Sequence, residues 1–286
     1  MFDLHPFAKM NGLGNEILVI DVHNNDNEQS ITKNAILNLA KDPHMSFDQI
    51  MLIKKPDNNG VFWLDIFNRD GSQAQACGNG TRCVAEYLFN LTKQKELTYQ
   101  TKNNLLKSIK LDNGDICVDM GKAFFSWDKI PLAYSITDTA QLPLTYPQLG
   151  RAAAVNVSNP HVVFWLKEDV NDFPLQKFGP LIENDKLFPE KVNVSIVNIK
   201  SKQHIKIRTW ERGAGLTLAC GSAACATTIL SHKIKNTSNK LKVSMPGGTL
   251  FTQYTDDGHI FMTGSTELEF TGIVSIETGT YEKRNI

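Results

Sequence analysis

Apolar positions along the 286-residue chain fall into short runs rich in β-branched residues, punctuated by Gly, Asn and Asp. EILVIDV (16–22), QIMLIKK (49–55) and VFWLDIF (61–67) form one series. AVNV (154–157), HVVFWL (161–166), VSIVNI (194–199) and HIKIRTW (204–210) form a second, and KLKVSM, LFTQYT and HIFMTG follow. Runs of this length between turn residues predict strands. The period changes at two places. GNGTRCVAEYLFNLT (78–92) sets Val84, Tyr87, Leu88 and Leu91 on one helical face, and GSAACATTILSHKIK (221–235) does the same with Ala226, Ile229, Leu230 and Ile234. Both helices begin directly after Ala-Cys-Gly, in ACGNGTRC from Ala76 and ACGSAACA from Ala219. Polar Asn79 and Ser222 stand near these starts and suit N-cap chemistry.

The two cysteines, Cys77 and Cys220, are 143 residues apart, and more than the turn repeats at that spacing. FNRDGSQAQACGNG falls on WERGAGLTLACGSA, so that Asn68 meets Glu211 and Arg69 meets Arg212. Upstream the offset is 144: Asn15 meets Asn159, and Gln49 meets Asn193. DNGDICVDMG resembles DDGHIFMTG further on. Four matches in one order predict a duplicated domain. The expected fold is α/β in the α+β sense, with two pseudo-symmetric domains, each a curved mixed or antiparallel sheet around a central helix. Residues 1–121, joined by the C-terminal strand 268–286, form one domain, and 122–267 the other. The active site is expected in the cleft between them.

Composition narrows the function. The chain is 41% hydrophobic and 21% charged with a formal net charge of +0, an ordinary globular balance with no global field for nucleic acid or anionic membrane. Its longest apolar runs are too short to span a bilayer, and MFDLHPFAKMNG lacks a secretory pattern. Five irregularly spaced cysteines favour a reducing cytoplasm over a disulfide framework. No zinc spacing, dinucleotide fingerprint or phosphate-binding loop is present, so no metal or cofactor is expected.

A helix N-terminus carries orphan N–H groups and partial positive charge. It binds carboxylates and draws a thiol toward thiolate. One such cysteine could be a nucleophile, a base or a redox thiol. Two, in halves related by pseudo-symmetry, suit inversion of a stereocentre: a base on one face of the carbon and an acid on the other. Cys83, Cys117 and Cys225 have no such pairing and read as packing residues.

KMNGLGNEILVID, FDQ, IFNRDGS, ACGNGTRC, SNPHVV, FPEKVNV, WERGAG, ACGSAACA and MPGG, in this order, resemble the diaminopimelate epimerases among the PLP-independent amino-acid racemases. The resemblance implies cofactor-free interconversion of LL- and meso-2,6-diaminopimelate, on the route to lysine and peptidoglycan, commonly by a homodimer. It makes Cys77 and Cys220 the proton-transfer residues. Gly78-Asn79 and Gly221-Ser222 would bind the carboxylate at the reacting centre. Asn15, Asn68, Asn159, Asn193, Glu211 and Arg212 would bind the distal amino-acid head, with Arg212 on a carboxylate and Glu211 on an ammonium, and Gln49 is a further contact. His161 matches the family as an auxiliary residue without a derived role.

The chain departs from the family pattern in several places. Asn11 and Glu16 replace a usual His and Asp. His44 and Ser46 stand at glycine positions and put the backbone of that loop in question. Gln73 and Leu216, which are repeat mates, replace glutamates four residues before each thiol. The expectation is that these two positions lie close enough to the thiols to tune their ionisation. A racemase of histidine, proline or hydroxyproline, a non-catalytic amino-acid-binding protein and a thiol redox or metal protein are the rival readings.

Overall fold

The computed structural model describes residues 4–24, 30–56, 61–74, 77–102 and 105–284, so Gln75 and Ala76, the start of the first Ala-Cys-Gly, lie outside it. Each apolar run above forms a strand, and the two helices have the predicted bounds. The architecture is mixed, mostly sheet, with four helices among the described residues: α1 (Lys33–Lys41), α2 (Gly78–Thr92), α3 (Leu175–Glu183) and α4 (Gly221–Lys235). The chain divides into two compact units, Met1–Val118 with Gly264–Ile286, and Asp119–Thr263.

Within the first unit the strand Leu4–Asn11 pairs antiparallel with Glu16–Asp21 and, on its other side, with Glu267–Ser275. Glu16–Asp21 then pairs parallel with Gln49–Lys54, which pairs antiparallel with Phe62–Asn68. Phe62–Asn68 is parallel to Glu96–Gln100, itself antiparallel to Leu105–Lys110. The second unit repeats this alternation with Ala153–Asn156, Pro160–Leu166, Asn193–Ser201, His204–Glu211, Lys240–Met245 and Gly248–Tyr254. Even the register repeats. Ile17 faces Gln49 in one unit and His161 faces Asn193 in the other, each member displaced by 144. Ile50 faces Phe67, and Val194 faces Trp210. Parallel neighbours need a crossover, which a helix supplies. Here α1 and α3 serve one parallel pair in each unit, and α2 and α4 the other.

Why the runs are continuously apolar follows from these layers. In Glu16–Asp21, Leu18 and Ile20 join Ile36 and Leu39 of α1 in one core cluster. Ile17 and Val19 point to the opposite face and are also fully buried, on the side where α2 packs. The matching cluster in the second unit holds Val162, Phe164, Val194 and Ile196 with Leu175 and Ile182 of α3.

The helices differ from the one-sided expectation. α2 is buried all round from Gly78 to Ala85, and Leu91, predicted to face the core, is exposed in its last turn. α4 is buried all round from Gly221 to Ser231. A helix enclosed by a curved sheet has no solvent face until it emerges. Small residues and threonines fill α4, and Thr227 and Thr228 return their hydroxyls to the carbonyls of Ala223 and Ala224, which satisfies groups that water cannot reach.

Candidate active site

The helix starts correct one expectation. The N-cap positions belong to Cys77 and Cys220 themselves, both with extended backbone, while Asn79 and Ser222 sit at the second helical position. Cysteine is not a favoured cap in general. Here the thiol replaces the usual hydroxyl or amide: Gly80 N–H donates to Cys77 Sγ at 3.1 Å. Gly80 must be glycine, since a Cβ there would lie 2.6 Å from Met51 Sδ and 3.0 Å from the Cys77 sulfur.

Cys77 also has the Asn15 side chain beside it. Asn15 Oδ1 lies 3.9 Å from Sγ, and Asn15 Nδ2 donates to Asp48 Oδ2 at 3.2 Å. Asp48 also accepts from Glu16 N–H at 2.8 Å, which fixes the turn entering that strand. Gln49 Nε2 donates to Asn68 Oδ1 at 3.0 Å across the register pair that unites their strands, and Asn68 Nδ2 donates to Ser72 Oγ. Asn15, Gln49, Asn68 and the start of α2 are thus gathered at one end of the first unit's sheet. His44 and Ser46 are exposed and outside the left-handed region. Their loop is pinned instead by buried Met45 and Phe47 and by His44 N–H donating to Asp42.

The second unit is built differently at its thiol. Cys220 is 5% exposed, and its Sγ donates to Glu211 Oε2 at 3.0 Å and lies 3.5 Å from Ser222 Oγ. Glu211 Oε1 accepts from Thr217 Oγ1 at 2.7 Å. Burial pushes the Cys220 thiol well above its ordinary value, and the Glu211 carboxylate pushes it further, because both disfavour thiolate. Glu211 therefore faces the Cys220 thiol. Thr217 was missed in the sequence; its signal is the hairpin that pairs Thr209 with Thr217 and Glu211 with Gly215.

Leu216 faces Trp210 in the same hairpin. Alternation puts it on the opposite side from Thr217 and Glu211, and it is exposed. Gln73 occupies the equivalent place opposite Phe67. Leu216 is thus turned to the side of the hairpin away from Glu211.

Buried Asn193 donates from Nδ2 to Pro160 O at 2.9 Å and accepts at Oδ1 from Arg212 N–H at 2.9 Å. Its side chain fixes the Arg212 backbone. The Arg212 guanidinium donates to Glu190 O at 3.0 Å. His161 is fully buried, its pKa pushed down to about 3 by burial first and by the Arg212 charge second. The neutral ring donates from Nε2 to Asn159 Oδ1 at 2.7 Å, which leaves Nδ1 a bare acceptor with no hydrogen-bond partner.

The diaminopimelate epimerase family model matches residues 7–126 and 153–269. The diaminopimelate epimerase of Rhizobium meliloti is 45% identical over 99% of this chain and 96% of that protein. That of Brucella canis is 44% identical over 97% and 93%. Among solved structures, a phenazine biosynthesis protein of the PhzF family from Enterococcus faecalis has the same fold, with a TM-score of 0.68 at 16% identity over 95% of this chain and 99% of that one. Family match, full-length identity and duplicated helix-cap cysteines together place this chain in the diaminopimelate epimerase family.

Proposed function

We propose that the protein is an isomerase that interconverts LL- and meso-2,6-diaminopimelate without a cofactor, in lysine and peptidoglycan-precursor synthesis. The observation that carries this reading is the pair of cysteines at the N-cap positions of the two central helices, one of them, Cys220, hydrogen-bonded to a carboxylate, Glu211. The names of the relatives support the substrate.

In the proposed reaction the two cysteines act on opposite faces of the α-carbon. One cysteine thiolate takes the α-proton and becomes a thiol. The other thiol gives its proton to the opposite face and becomes a thiolate. Charge and protons balance, and the reverse reaction exchanges the roles. Helix-start amides at Gly78-Asn79 and Gly221-Ser222 stabilise the carboxylate as negative charge develops. Glu211 serves Cys220 as hydrogen-bond and proton partner. Arg212 takes the distal carboxylate, Asn15, Asn68, Asn159 and Gln49 orient the distal head, and Asn193 holds Arg212 in place. The bare Nδ1 of His161 is an auxiliary acceptor in the same unit. The free cysteines and the biosynthetic substrate support a cytoplasmic location, and the family resemblance supports a homodimer, which light scattering tests.

The test is α-carbon exchange in D2O under reducing conditions. Deuterium should enter LL- and meso-diaminopimelate, and Cys77→Ala and Cys220→Ala should each abolish turnover. Exchange into histidine, proline or hydroxyproline in place of diaminopimelate would move the substrate assignment to another racemase. Binding without exchange would make the chain a binding protein.

A further inference from the structure

One buried carboxylate in the second unit has no part in the chemistry above. Glu183, the last residue of α3, is 5% exposed. Lys191 Nζ is 3.9 Å away on a half-exposed side chain, too distant and too solvated to be its main partner. A carboxylate taken out of water must be well bonded. Here both oxygens are: Oε2 accepts from the Trp210 indole N–H at 2.7 Å, and Oε1 accepts from the Gly213 backbone N–H at 2.9 Å.

Those two donors stand on either side of Glu211-Arg212. Gly213 is left-handed, with φ +76°, and the turn closes by Ala214 N–H donating to Glu211 O at 3.1 Å. Asn193 holds the Arg212 N–H from within the sheet. α3 is seated closely enough to reach this turn because Gly179 has no side chain: a Cβ there would lie 2.5 Å from the Trp210 indole carbons.

We infer that Glu183 is a positioning residue for the reaction proposed above: its carboxylate clamps the turn between Trp210 and Gly213 and so sets where Glu211 meets Cys220 and where Arg212 points. The inference rests on that reading for its consequence in turnover, but its effect on the Cys220 thiol does not require any substrate.

Glu183→Gln keeps the side-chain volume and offers one acceptor oxygen in place of two, so one donor loses its partner. Two readouts decide. Turnover of diaminopimelate should fall about tenfold or more in kcat/KM, with KM rising as Arg212 is displaced. Without substrate, the iodoacetamide alkylation rate of Cys220, resolved by peptide mass spectrometry, should change about threefold or more while that of Cys77 stays put. Trp210→Phe, which removes one donor and keeps a ring, should shift Cys220 in the same direction by less. A folded Glu183→Gln protein with kcat/KM and both thiol rates within about twofold of wild type would overturn the inference. So would loss of the cooperative melting transition in both variants, which would make Glu183 a packing residue. If the wild type does not turn over diaminopimelate, the thiol readout still decides the role of Glu183, so the two failures are distinguishable.

Discussion

Glu211→Gln isolates the effect of one charge on one thiol. The Cys220 sulfur and the Glu211 oxygen are 3.0 Å apart. Two unit charges at that distance repel by about 5 kcal/mol at an effective dielectric of about 20, and by about 1.4 kcal/mol in bulk water. Each step of about 1.4 kcal/mol is one pH unit of ionisation. Replacing the carboxylate by a neutral amide should therefore move the ionisation midpoint of Cys220 to lower pH. The sign is fixed: a carboxylate beside a thiol disfavours thiolate, so its removal favours thiolate at lower pH. Burial, the larger cause of the raised value, is untouched. The assay is the pH dependence of alkylation at each cysteine, read by peptide mapping. The Cys220 midpoint should fall while that of Cys77 stays where it is in the wild type. kcat/KM should drop about hundredfold or more, because the group that exchanges a proton with the thiol is gone. A Cys220 midpoint that stays or rises would refute the reasoning, since the 3.0 Å contact would then carry no electrostatic weight.

Three further outcomes follow from the geometry. Gly80→Ala forces a Cβ against Met51 Sδ and the Cys77 sulfur; denaturant unfolding should show a loss of about 1–3 kcal/mol, and Cys77 alkylation should change as its capping N–H moves. Leu216→Glu places a carboxylate on the Trp210 side of the hairpin, away from Glu211 and Cys220, so the pH–rate profile should match wild type; an acid limb moved upward would restore the expectation drawn from the sequence. His161 is neutral in the fold and gains a proton in the unfolded chain below pH about 6.5, so stability should fall as pH drops from about 6.5 toward about 3, by up to about 5 kcal/mol, and His161→Gln should flatten that slope in urea titrations.

Much of the fold is legible because the chain states it twice. The apolar runs and the period change after each Ala-Cys-Gly locate the strands and both central helices, and the offsets of 143 and 144 reappear as strand register. What escaped has physical reasons. The strand Leu4–Asn11 hides its alternation because Lys9 is buried and donates to the exposed Glu269, so a charged residue stands where the pattern needs an apolar one. α1 and α3 are nine residues each, and α3 contains Pro180, so neither carries a long period. Within the site, the cysteines are evident from their repetition. Glu211 and Cys220 are nine residues apart, and only the hairpin between them turns the carboxylate onto the sulfur. Rules for caps favour Asn and Ser, whereas the N-cap positions here belong to the cysteines, and at Cys77 the sulfur itself accepts the helix N–H. Glu183 is 30 residues from Gly213, and only the packing of α3 on Trp210 reveals it.

The central claim is that two different groups handle the proton on the two faces of one carbon. Its most direct test is an early-time reaction in D2O from pure LL-diaminopimelate, with deuterium measured separately in product and recovered substrate. Two thiols predict meso product that carries solvent deuterium while the remaining LL isomer stays unlabelled. Label accumulating equally in both isomers, or substrate hydrogen retained in the product, would mean a single base and would contradict the account.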